Sequence, residues 1–140
     1  MKKLYEDFKK ARNVDISLEE FKILVVSYPV YKVASADGHF DETEQKLLTE
    51  IIYNFLSEIF ENHLIDEEKH QLAKILIDDL EYINSEKDTL DEKFMTVLEE
   101  FPPELRTSIG ELLDDMAEIS GGVDDSEKDM INNIQNNYLN

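Results

Sequence analysis

The chain has 140 residues and no cysteine, which fits about one domain and excludes disulfides and thiolate metal sites. Fourteen basic against thirty-three acidic residues give a formal net charge of −19. Phosphate backbones and anionic lipid repel such a chain, so no nucleic-acid partner is expected. The opening "MKKLYEDFKKAR" lacks the apolar run of a signal peptide, and the longest apolar run, Ile23–Val26, is too short to span a bilayer. The expectation is a soluble, cytoplasmic protein.

Four glycines and three prolines leave few breaks, and apolar residues recur at spacings of three and four. Leu4, Tyr5, Phe8 and Ala11 predict a short first helix. Ser17 and Glu20 form a capping-box pattern that opens a second, strongly apolar helix through Phe21, Leu24, Val25, Tyr28 and Val33. Pro29 lies inside it and is expected to kink or split it. Asp41 with Glu44 starts a third helix carrying Leu47, Leu48, Ile51, Ile52, Phe55, Ile59 and Phe60. Asp66 is expected to cap a fourth, through Leu72, Ile75, Leu76 and Leu80, and Ser85 with Asp88 a fifth, through Phe94, Val97 and Leu98.

"FPPE" breaks the chain and puts a proline in the first turn of a sixth helix, through Leu105, Ile109, Leu112, Leu113 and Met116. Asp124 and Glu127 cap a seventh, through Ile131 and Ile134, and the polar end "NNIQNNYLN" is expected to fray. No stretch alternates with period two. The whole predicts an all-α, single-domain bundle of about seven helices over residues 1–140. Phe55, Phe94, Met95 and Met116 follow the helical stripes and read as core.

The sequence also resembles itself. Val33–Ile51, "VASADGHFDETEQKLLTEI", aligns with Met116–Ile134, "MAEISGGVDDSEKDMINNI", at a constant offset of 83 residues. Ala34 meets Ala117, Gly38 meets Gly121, Asp41 meets Asp124, Glu44 meets Glu127 and Ile51 meets Ile134. An internal helix–turn–helix duplication follows, with units centred on residues 17–60 and 102–139. The copies differ in chemistry where Asp37 becomes Ser120.

Each turn is open to two accounts. As structure, Gly38 and Gly121 close a helix, while Asp41 with Glu44 and Asp124 with Glu127 cap the next. As a site, Asp37, Asp41 and Glu44 supply the hard oxygens that calcium or magnesium takes. Asp37 favours the second account, because a carboxylate in the last turn of a helix faces the negative end of the helix dipole. The pattern is no standard EF-hand. With Gly38 at loop position six, Val33 and Ser35 would stand at positions one and three. His39, His63 and His70 have no zinc-motif spacing and read as surface residues, as do the acidic pairs Asp78–Asp79 and Asp114–Asp115.

The run Ala36-Asp37-Gly38, then Phe40, Asp41 and Glu44, with its weaker copy at Gly121, Val123, Asp124 and Glu127, resembles the TerB-like tellurite-resistance family. That resemblance implies an all-α bundle in the bacterial cytoplasm or at the inner face of the membrane. It also implies a role in tellurite or other stress resistance and divalent-metal binding by acidic residues. The ligands it implies are Asp37, Asp41 and Glu44, with Asp124 and Glu127 as a second site weakened by Ser120.

The chain carries no nucleophile elbow, phosphate loop or HExxH motif, so a non-enzymatic role is expected, without an organic cofactor. The alternative to a metal-binding module is an acidic scaffold that docks a basic protein partner.

Overall fold

The stretch "FKILVVSYPVYKVA" is apolar around nearly its whole circumference, and a helix of that kind belongs inside a bundle. In the computed structural model, which describes residues 1–36, 40–60, 65–119 and 125–139, it becomes the central helix α2, Leu18–Ala34. The other helices are α1 (Lys2–Arg12), α3 (Glu42–Phe60), α4 (Asp66–Ser85), α5 (Lys87–Thr96), α6 (Pro103–Ile119) and α7 (Asp125–Ile134). A 3₁₀ turn, Val97–Glu100, follows α5, and a π-helical turn, Gln135–Leu139, follows α7. No strand occurs among the described residues. Every other helix touches α2, and α3 packs on both α4 and α6. The protein is an all-α bundle wrapped around one buried helix.

Local chemistry explains most of the boundaries. Glu20 N–H donates to Ser17 Oγ at 3.1 Å, the N-terminal cap of α2. α1 ends at Asn13, the one non-glycine residue among those described with a positive φ (56°), a left-handed position that asparagine tolerates. Pro103 opens α6 at its first residue, where a missing N–H leaves nothing unsatisfied.

The core joins two kinds of packing. Phe8, Phe21 and Phe94 meet with ring centroids 5.6–5.9 Å apart and tie α1, α2 and α5 together. Aliphatic side chains fill the rest, among them Leu48, Ile52, Leu76, Leu80, Ile109 and Leu113, all fully buried. Phe94, Met95 and Met116 are buried as expected, and Phe55 is half-buried against the same core.

Several expectations need correction. Pro29 does not split α2, which runs through it without interruption. The helices packed around α2 hold it in place, so that it tolerates one missing hydrogen bond. Asp66 is the first residue of α4 and not its cap. Ile65 holds the cap position, and the Asp66 carboxylate accepts from Tyr53 O–H instead. Ser85 ends α4, with its hydroxyl donating back to Tyr82 carbonyl oxygen, so it caps nothing ahead of it. Ile75 is 56% exposed and lies off the core stripe of α4. The polar C-terminal segment docks rather than frays, because Tyr138 and Leu139 pack on the core and Gln135 Nε2 donates to Gly110 carbonyl oxygen at 3.5 Å.

Candidate functional site

The end of α2 and the start of α3 form a corner fixed by hydrogen bonds and one aromatic pair. Ser35 N–H donates to Tyr31 carbonyl oxygen at 2.9 Å, and Ala36 N–H to Val33 carbonyl oxygen at 3.2 Å, closing α2. Across the corner Phe40 stands edge-on to Tyr31, with centroids 5.1 Å apart. The apolar residue of the turn motif is therefore the strut that sets how α3 leaves α2.

At the start of α3, Glu44 N–H donates to Asp41 Oδ1 at 2.8 Å, and Asp41 N–H donates to Glu44 Oε1 at 3.1 Å. Asp41 and Glu44 thus form the reciprocal capping box that the sequence predicts. Each commits one carboxylate oxygen to the other's backbone. The two differ in burial: Asp41 is exposed, while Glu44 is only 2% exposed. Glu127, paired with Glu44 by the offset of 83, is likewise buried at 4%. A carboxylate at the third position of a surface helix ordinarily reaches water, so burial at both positions is distinctive.

Asp37 and Asp124, with His39 and His63, lie outside the described residues. Asp41 and Glu44 have the hard-oxygen chemistry of a calcium or magnesium ligand pair. They are the two site residues of the first turn that are described. Among the described residues no group of three or more histidine, aspartate or glutamate side chains is gathered as a metal centre.

A second polar cluster adjoins the same corner, and the sequence did not single it out. Tyr28 O–H donates to Asp91 Oδ1 at 2.7 Å, and Lys32 Nζ lies 2.8 Å from the same carboxylate. These groups border a polar cavity of about 470 Å³ between α2, α4 and α5, with Ser35, Ala36 and Asn84 on its wall. Burial, and then the Asp91 carboxylate that accepts its proton, push the Tyr28 hydroxyl far above its ordinary range. Tyr28 therefore remains a donor at every physiological pH. Asp91 gave no sequence signal, because its partners lie 59 and 63 residues away.

Asp79 is the other residue misjudged from sequence. It is buried, not solvated, and accepts from Arg12 Nε at 3.1 Å. The available signal was its spacing: it lies three residues after Leu76 and four before Ile83, on the buried stripe of α4. Asp114 and Asp115 are exposed, as expected, and His70 is exposed with its ring 5.1 Å from that of Tyr53. No helix among the described residues is long and apolar enough to cross a membrane.

Compared with protein-family models, curated proteins and solved structures, the chain matches none of them.

Proposed function

We propose that the protein is a non-enzymatic, divalent-cation-binding module of the TerB-like kind, acting in a bacterial stress response, with its principal site at the α2–α3 corner. The observation that carries this reading is Glu44. Its carboxylate is buried at the corner, and Asp41 N–H fixes one of its oxygens there, so the acid is pre-oriented before any ion arrives. Asp37, which follows Ala36 in sequence, supplies a further carboxylate in this reading. Glu127 is the counterpart of Glu44 in a second, weaker site, for which the sequence offers Asp124 as a further ligand and has Ser120 in place of the aspartate.

Calorimetric titration with calcium or magnesium chloride tests the proposal. Wild type is expected to bind, and Glu44→Gln and Asp37→Asn each to lose at least about tenfold in affinity, as expected for removing one charged oxygen ligand from a hard-cation site. Absence of binding by wild type at millimolar ion defeats the reading.

One observation favours a second reading. Among the described carboxylates only Glu44, Asp79 and Glu127 are buried, so the large negative charge lies mostly on the surface. An acidic scaffold that docks a basic protein would use that surface, and its association would weaken with salt and ignore chelator.

A further inference from the structure

The polar cavity between α2, α4 and α5 carries a charge balance unlike that of the rest of the chain. Two ammonium groups, Lys32 and Lys87, and two carboxylates, Asp88 and Asp91, border its space of about 470 Å³. Their charges cancel, in a chain whose formal net charge is −19. The volume falls in the usual range for small-molecule sites.

One half of these charges is built into the fold. Tyr28, fully buried, donates to Asp91 Oδ1 at 2.7 Å, and Lys32 Nζ lies 2.8 Å from Oδ1 and 3.1 Å from Oδ2. The carboxylate is thereby fixed, and it fixes the ammonium in turn. An ammonium has three N–H donors and Asp91 engages two at most, so Lys32 keeps one for the cavity. The other half is free. Lys87 stands four residues before Asp91 on α5, a spacing at which lysine and aspartate ordinarily pair. Asp91 is already taken by Lys32, and among the described residues neither Lys87 nor Asp88 makes an ion pair. Both are exposed at the rim. Asn84, half-buried near the end of α4, adds an amide that can donate or accept.

Such a wall discriminates against simple ions. An anion drawn to the two lysines meets Asp88 and the negative field of the whole chain. A cation drawn by that field meets two lysines here. A molecule carrying both charges gains at both ends, and the field of the chain exerts no net pull on it. We infer that this cavity binds a small zwitterion, its carboxylate held by Lys32 and Lys87 and its ammonium by Asp88. Asp88 lies three residues before Asp91, where Lys32 is held, so the two ends of the ligand are about 5–6 Å apart. The inference is independent of the divalent-cation reading, because it uses no metal ion and none of the residues assigned to that site.

Calorimetric titration with 4-aminobutyrate, in buffer containing a metal chelator, tests it. Butyrate and butylammonium are the controls, each lacking one of the two charges. Wild type is expected to bind 4-aminobutyrate, and each control at least about tenfold more weakly. Lys87→Met and Asp88→Asn, both at exposed positions outside the hydrogen-bonded network, are each expected to lose about three- to tenfold in affinity, with circular dichroism reporting folding. Backbone amide shifts in an NMR titration are expected at Ser35, Asn84, Lys87 and Asp88. Absence of binding at about 50 mM, a control that binds as tightly, either variant equal to wild type, or shifts confined to other elements overturns the inference. None of these results bears on the cation reading, which the calcium and magnesium titrations test separately.

Discussion

Arg12, at the C-terminal end of α1, donates from Nε to Asp79 Oδ1 on α4 across 3.1 Å, joining residues 67 positions apart. The guanidinium also lies over the ring of Tyr82, 4.8 Å from its centroid. Only 3% of the Asp79 side chain is exposed, against 32% for Arg12. The pair therefore sits at the edge of the core, with the carboxylate inside and the guanidinium partly in water. It straps α1, which also inserts Phe8 into the aromatic cluster, onto the helix behind it.

Removing Arg12 leaves a buried carboxylate without its counter-charge. Arg12→Met is expected to destabilise the protein by about 2–4 kcal/mol, slightly below the range for fully buried pairs because water reaches the arginine. Arg12→Met with Asp79→Leu should recover most of that loss, since an apolar pair needs no compensation for desolvation. Urea denaturation measures both, and a single variant within about 0.5 kcal/mol of wild type would contradict the strap.

The same pair predicts a pH dependence of defined sign. Burial raises the Asp79 carboxyl above its ordinary value of 3.8, and Arg12 offsets only part of that rise. A folded-state pKa above the unfolded one means that the native state holds the proton more tightly. The associated stability is then present below the unfolded value and is lost as pH rises through the folded one. The stability difference between wild type and Asp79→Asn should therefore shift against wild type as pH rises from below 3.8 through the raised value. Denaturation at stepped pH reads this, and a difference that shifts the other way would mean that Arg12 outweighs burial.

Capping and burial at the α3 start can be separated. Asp41→Ala removes the acceptor for Glu44 N–H and is expected to cost about 1 kcal/mol. Combined with Glu44→Ala, it should show positive coupling in a double-mutant cycle, because each acid bonds the other's backbone. Additive effects would mean that the two carboxylates act independently and that no box contributes.

Ile75 and Leu76 are neighbours in sequence and opposites in environment. Ile75 is 56% exposed and Leu76 is fully buried. Ile75→Lys should change stability by no more than about 0.5 kcal/mol. Leu76→Ala should cost about 2–5 kcal/mol through lost burial and the cavity left behind. Thermal unfolding of the two variants distinguishes the faces directly.

What the sequence made legible follows from how far apart the interacting residues lie. Helix starts such as Ser17–Glu20 and Asp41–Glu44 are decided within four residues, and they appear where their patterns put them. The strongly apolar character of α2 was readable from its run of apolar residues, and the seven helices from their periodicity, whereas the central place of α2 came only with the packing. Asp66 and Ser85 were misassigned as caps because Tyr53 and Tyr82 compete for their side chains. Asp79 and Asp91 were missed for a deeper reason. Their meaning comes from Arg12, Tyr28 and Lys32, partners that only the folded chain brings near.

Gly110 offers a gain in stability. It lies in the interior of α6, where glycine is less favourable than alanine because the unfolded chain has more freedom to lose. A methyl group added there would meet Gln135 Nε2 at 3.6 Å and Leu139 Cδ1 at 3.9 Å, both ordinary contact distances. Those atoms belong to the docked C-terminal turn, so the added carbon fills the contact between α6 and that turn without pushing it away. Gly110→Ala should therefore stabilise the protein by about 0.5–1 kcal/mol. If the melting temperature falls instead, the C-terminal turn sits closer to α6 than these distances allow.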